Sequence, residues 1–323
     1  MPTPFRLSVV ATFARTWRVP KLAQVSSNVA ILLKPLFAVT LVILATARPS
    51  SSFADDADTP TRPQRLVLIG QGPDGSHKPT SHEYFAGVNL LARLLRDQPN
   101  LETIVVSADG DWRDGPQLLA RADAAVIFVS EGAKWLSADA ARLAAFRDLA
   151  QRGGGLGAIH WATGTKAAEP IAPFVQLFGA CHGGPDRRFQ EFAEITPQLA
   201  APEHPILRGV RPVPLREEFY FALKMTSRDA ATPVTRLEKD SPITTLLRIP
   251  NDEASGTVAW CWERPDNGRS FGFTGLHYHD NWKHESYRRF MAQATLWTLK
   301  RDLPKTGLPV AVTDQDLALP ATK

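Results

Sequence analysis

The chain has 323 residues, 37 of them basic and 33 acidic, giving a formal charge of +4 and a pI near 9.1. That balance does not make a nucleic-acid binder. Six of the basic residues fall in the first 54, which hold no acid, and the remaining 31 against 33 leave no basic patch for a phosphate backbone. Two cysteines, Cys181 and Cys261, exclude a disulfide-built scaffold, while the 269 residues after Ala54 suffice for one large α/β domain with a real core.

The chain opens with a basic segment holding Arg6, Arg15, Arg18, Lys21, Lys34 and Arg48. It contains an apolar run from Leu36 to Ala47, too short to span a membrane comfortably. Small residues at Ser52 and Ala54 precede Asp55-Asp56, so residues 1–54 read as a secretory signal or, if uncleaved, an N-terminal anchor. The expected location is therefore periplasmic or extracellular, with membrane contact only through that segment. Residues 55–64, DDADTPTRPQ, read as a linker, and a domain is expected over 65–303.

RLVLIG (65–70) predicts the first strand, and Thr80 with Glu83 predicts a capping box for a helix reaching about Asp97. ETIVVSAD, GPQLLARA and AAVIFVS (124–130) follow as strand, short helix and strand. SADAARLAAFRDLAQRG predicts a helix with Ser137 as N-cap and Gly153 beyond its end. GLGAIHWA (155–162) is a fourth strand and EPIAPFVQLFG a further helix. Strands apolar throughout, alternating with amphipathic helices, predict an α/β three-layer sandwich around a mostly parallel sheet. Beyond it, FAEITP, EEFYFALK, TPVTRLEK, TVAWCWER and RSFGFTGLHY read as strands. A last helix over about 284–301 closes the fold, and a proline-containing tail, 304–323, is an extended strap or a partly disordered end.

The chemistry points to histidine. There are eight, and FGFTGLHYHDNW places two of them, His277 and His279, at the end of one predicted strand, where alternation sets them on one face. Ligands of open α/β sheets gather beyond the carboxyl ends of the strands, so His160, His277 and His279 are expected to converge there. Such a cluster serves as a metal site, with Glu218 or Asp280 completing it, or as acid–base machinery. His82 and His182 are further contributors. His204 either shapes the turn at Pro205 or joins the site, His284 is a solvated helix start, and His77 is a loop residue. The aromatic residues Trp161 and Tyr220 beside carboxylates and imidazoles suit a carbohydrate. GGGLGAIHWATGTK is no dinucleotide fingerprint, because its glycines precede and begin the strand, and a phosphate-binding P-loop is absent; no nucleotide cofactor is expected.

Taken together, GPDGSHKPTSHEY, GGGLGAIHWATGTK, CHGGPDR, PEHPI, EEFYF and GFTGLHYHDNW resemble the ThuA-like (trehalose-utilisation) family from about Arg65 to Pro309. The resemblance implies a flavodoxin-like fold akin to the class I glutamine amidotransferases. At the turn where those enzymes carry a cysteine nucleophile, AIHWATG has His160, so glutamine hydrolysis is not carried over. It also implies a role in sugar metabolism on keto-sugars or related glycosides, by proton transfer as isomerase, lyase or hydrolase. In that reading His160, His277, His279 and Glu218 are catalytic, and the three histidines are tentative ligands of a divalent transition metal. His82, Trp161, His182 and Tyr220 then contact a small-molecule carbohydrate. The alternatives are a non-catalytic carbohydrate-binding protein on the same scaffold and a structural interaction module.

Overall fold

Strands that are apolar on both faces must be covered on both faces, and the chain meets that demand with three layers. The computed structural model describes residues 62–73, 75–110, 112–229, 231–250 and 256–319, all within the compact unit Asp58–Lys323. The expected leader and most of the expected linker lie outside them. Eight strands form the central sheet, in the order Leu101–Ser107, Gln64–Gly70, Ala124–Phe128, Gly155–Ile159, Arg269–Phe273, Thr257–Glu263, Thr244–Arg248 and Gln198–Leu199. The first five are parallel and the last three extend the sheet antiparallel. The fold class read from the sequence is thus the one adopted.

Side chains leave each strand alternately to the two sides. Leu66, Leu68, Val126, Phe128, Phe271 and Phe273 join one apolar cluster with the helices Tyr84–Leu95 and Glu285–Thr298. Val67, Ile69, Ala125, Ile127, Leu156 and Ala158 join a second with the helices Ala140–Gln151 and Ile171–Phe178. A separate antiparallel hairpin, Arg188–Ile195 with Leu215–Phe221, carries EEFYF.

Several boundaries differ from the sequence reading. The first helix begins at Tyr84, and only half of the capping box forms, Thr80 N donating to Glu83 Oε1 at 3.2 Å. Thr80 itself has a left-handed φ of 75°, which the box does not allow. The helix expected with Ser137 as N-cap begins later, as Ala140–Gln151 capped by Asp139, whose Oδ1 accepts from Arg142 N at 3.0 Å, and a short helix the sequence reading did not expect, Gly132–Ser137, precedes it. The ionised Asp139 is the better acceptor at a helix start and wins over Ser137. TPVTRLEK shrinks to the two-residue strand Val234–Thr235, and RSFGFTGLHY stops pairing at Phe273. Up to residue 319 the tail runs as a strap against the domain. Leu308 and Val310 are buried and their carbonyls accept from Arg289 Nε and Arg288 Nε, each at 2.9 Å. A short helix, Asp314–Leu317, follows with a Thr313/Asp316 capping box. Cys181 and Cys261 are both buried and unpaired.

Candidate metal centre

Three segments that follow parallel strands each bring one imidazole to a common point. The loop after Gln64–Gly70 leads to His82, the turn after Gly155–Ile159 begins with His160, and the segment after Arg269–Phe273 carries His277. Each approach is kinked through the left-handed region: φ is 56° at His82, 53° at His160 and 71° at Leu276, just before His277. A side chain there costs about 1–2 kcal/mol, so three such kinks persist only where surrounding contacts hold them. The first and last loops are tied by His82 N donating to His277 O at 3.0 Å and His279 N donating to Thr80 O at 2.8 Å.

The result is a triangle of ring nitrogens. His82 Nε2 lies 3.0 Å from His277 Nδ1 and 3.1 Å from His160 Nε2, and the remaining edge, His277 Nδ1 to His160 Nε2, is 3.2 Å. All three side chains are buried. His160 Nδ1 sits 2.8 Å from the Thr274 carbonyl, to which only an N–H can donate, so neutral His160 turns its Nε2 lone pair inward. One proton serves one edge of such a triangle, and hydrogen bonds alone leave at least one edge repulsive. A cation resolves this: nitrogens bound at ~2.1 Å to one ion stand roughly 3.0–3.4 Å apart, from octahedral to tetrahedral angles. Glu218 Oε1 completes the group at 3.6 Å from His277 Nδ1 and 3.9 Å from His160 Nε2. The outer contacts also fit, since His82 Nδ1 meets the Tyr84 phenol at 2.6 Å and ligating imidazoles are commonly oriented through their second nitrogen.

Burial is the leading electrostatic influence at His160, Glu218 and Tyr220. Burial, then the neighbouring His82 and His277, hold the His160 imidazole well below its usual pKa. Burial raises the Glu218 carboxyl, against the Tyr220 hydrogen bond that lowers it. The Tyr220 phenol, 3.0 Å from His160 Nε2, is pushed well up by burial and the Glu218 charge, so it remains a proton donor. Beneath the site lies Glu217, pushed up to about 8 by burial although four N–H groups surround it.

Over the cluster opens a pocket of about 150 Å³ whose walls include His77, Trp161, His182, Glu218 and Tyr220. His77 stacks on His82 with ring centroids 3.6 Å apart. His160, His277, Glu218, His82, Trp161, His182 and Tyr220 are therefore brought together as the sequence reading expected. His279 is not, and its assignment with His277 on one strand face is corrected. Pairing ends at Phe273, Gly275 and left-handed Leu276 break the alternation, and His279 Nε2 lies 3.1 Å from the Leu317 carbonyl. It faces a larger cavity, about 720 Å³, between the first loop, the Tyr84–Leu95 helix and the C-terminal strap. That cavity is bigger but holds none of the converging nitrogens. His82 takes the place given to His279 among the candidate ligands. His204 shapes its turn, Nδ1 accepting from Ile206 N at 3.3 Å, and half-buried His284 caps the last helix. Sequence reasoning missed Glu217, Tyr84 and the pocket role of His77. The doublet Glu217-Glu218 was the available signal, because alternation sends two adjacent acids to opposite sides and one of them inward.

An open, mostly parallel sheet with a left-handed turn at the end of a central strand defines the class I glutamine amidotransferase-like proteins, here with histidine in place of the nucleophile. Within that class, the chain belongs to the trehalose-utilisation (ThuA) family, whose sequence model matches residues 67–298. A search of curated proteins finds no match. Among solved structures it is similar to a ThuA-like protein from Bacteroides uniformis, with 13% identity and a TM-score of 0.56, covering 75% of this chain and 94% of that one. A cytoplasmic protein from Salmonella typhimurium gives 15% identity and a TM-score of 0.43 over 73% of this chain and 97% of its own. A β-galactosidase from Bacillus circulans gives 12% and 0.42, covering 74% of this chain and 31% of that one.

Proposed function

We propose that the protein is a metal-assisted carbohydrate enzyme that moves protons on a keto-sugar or related glycoside. The observation that carries this is the buried triangle of His82 Nε2, His160 Nε2 and His277 Nδ1, with Glu218 beside it at the floor of an aromatic-walled pocket. Membership of a family described by trehalose utilisation supports the sugar class. A divalent ion held by the three imidazoles, with Glu218 as the adjoining carboxylate, supplies Lewis acidity to a carbonyl or hydroxyl oxygen. The chain's own groups do the rest. The Glu218 carboxylate takes the proton acidified by a neighbouring carbonyl. The Tyr220 phenol orients Glu218 and gives a proton to a developing oxyanion. Trp161 offers a ring face to the sugar and narrows the access of water. The basic leader with its apolar run and small residues at 52 and 54 supports export of the mature chain.

The test is elemental analysis of purified protein alongside turnover of keto-sugars. Wild type and His279→Ala are expected to carry a stoichiometric transition metal, and His160→Ala and His277→Ala to lack it. Glu218→Gln is expected to keep the metal and lose roughly 100-fold or more in turnover. Wild-type protein that takes up no metal would overturn the centre. Sugar binding that survives without any turnover would leave a carbohydrate-binding protein on this scaffold.

A further inference from the structure

The metal centre explains the floor of the pocket but not its walls. On one wall His182 is 1% exposed, stacked on Tyr220 at 4.3 Å between centroids, and its Nδ1 has no hydrogen-bond partner. That atom is shielded from solvent, so His182 enters the pocket wall as a flat ring beside Tyr220 and Trp161.

Around this wall the charges are mainly positive. Lys224 is already engaged by the Gly183 carbonyl and by Asp186 at 2.9 Å. Arg187 is not: among the described residues its guanidinium has no carboxylate partner, and that group's one hydrogen bond is a long 3.5 Å contact to Gly184 O. Lys166, also on the wall, reaches Glu131 only at 4.0 Å and is 65% exposed. Phe189, an exposed aromatic on the hairpin, stands at the mouth edge-on to Tyr220. Glu218 is the sole carboxylate on the pocket wall among the described residues, and it lies against the nitrogens of the proposed centre.

Building on the carbohydrate reading above, we propose that the pocket selects an acidic sugar of the uronic-acid class. Its carboxylate sits on the Arg187 guanidinium with Lys166 in support, and the apolar ring face rests on Phe189. Arg187 supplies the geometric part of the selection, since a guanidinium takes a carboxylate through two parallel N–H bonds, whereas Lys166 adds a screened point charge.

Calorimetric titration of metal-loaded protein with glucuronate and with methyl glucoside tests this, the metal content being measured on the same samples. Glucuronate is expected to bind about 10-fold more tightly, and Arg187→Gln to remove that advantage while leaving methyl glucoside binding unchanged. Lys166→Gln, at an exposed position that threatens no fold, is expected to give a smaller loss that shrinks as salt rises. Equal binding of the two sugars overturns the proposal and leaves the carbohydrate reading standing. A glucuronate advantage that survives both substitutions also overturns it, because the carboxylate is then held by the metal. Failure of both sugars to bind loaded protein overturns the carbohydrate reading along with it.

Discussion

Glu217 is fully buried, yet it determines where His277 stands. Its carboxylate accepts from Leu276 N at 2.7 Å and from His277 N, Glu218 N and Asn281 Nδ2 at 3.0 Å each. Two of those donors belong to the left-handed turn that delivers His277, and a third to the residue that offers the Glu218 carboxylate. Four N–H groups converging on one acid offset part of its desolvation, which is why Glu217 is tolerated at that depth although burial still pushes it up to about 8. Glu217→Gln keeps the shape but turns an amide N–H₂ toward those donors. We expect a loss of roughly 2–4 kcal/mol in urea unfolding of the metal-free protein. Metal affinity is expected to fall with it, because His277 loses its anchor. Asn281→Asp, which replaces one donor by a second acid, is expected to act in the same direction. Unchanged urea midpoints in both variants would show that the turn is held by other contacts.

At the scale of elements, the site depends on how closely backbone approaches backbone. Gly132, at the start of a six-residue helix, packs so near the turn His160–Thr163 that a Cβ there would overlap the Ala162 carbonyl oxygen and Cα. Gly132→Ala is therefore expected to cost about 1–3 kcal/mol and to push the turn, lowering metal occupancy without changing any ligand. Thermal unfolding and metal analysis on one preparation would check both. The same contrast explains what the sequence made legible. The parallel sheet was readable because AAVIF and GLGAI are apolar without interruption, and only strands covered on both faces are written that way. His160 was readable because it follows such a strand, and Glu218 because EEFYF reads as a strand that carries it beside Tyr220. The pairing of His277 with His279 was not, since period-two reasoning needs an unbroken strand and the kink at Leu276 depends on Glu217, 59 residues away in the chain. The entry of His82 was equally hidden, because its own left-handed φ is fixed by a bond to the His277 carbonyl and not by its neighbours.

The whole molecule carries a further consequence of burying so many imidazoles. Burial first, then the nearby Lys224 and Arg187, hold His182 down at about 3, whereas an unfolded histidine titrates near 6.5. Below about 6.5 the unfolded chain binds a proton that the native state refuses. The stability contributed by neutral His182 is therefore complete above that pH and is lost as pH falls toward 3. The shift corresponds to an upper figure on the order of 5 kcal/mol. His160, depressed in the same direction by burial and its neighbours, adds to the acid sensitivity. Glu217 works with the opposite sign: its folded pKa is raised to about 8, so its contribution is greatest below about 4.5 and is lost as pH rises toward 8. These opposed slopes overlap between about pH 4.5 and 6.5, and wild type alone cannot separate them. The difference between wild type and His182→Phe can, because phenylalanine keeps a ring on Tyr220 and binds no proton. In urea titrations of metal-free protein, His182→Phe is expected to close on wild type, or overtake it, by several kcal/mol between about pH 7 and pH 4. A gap that stays constant over that range would mean that His182 is already accepting protons in the native state, and that the pocket reaches it with water.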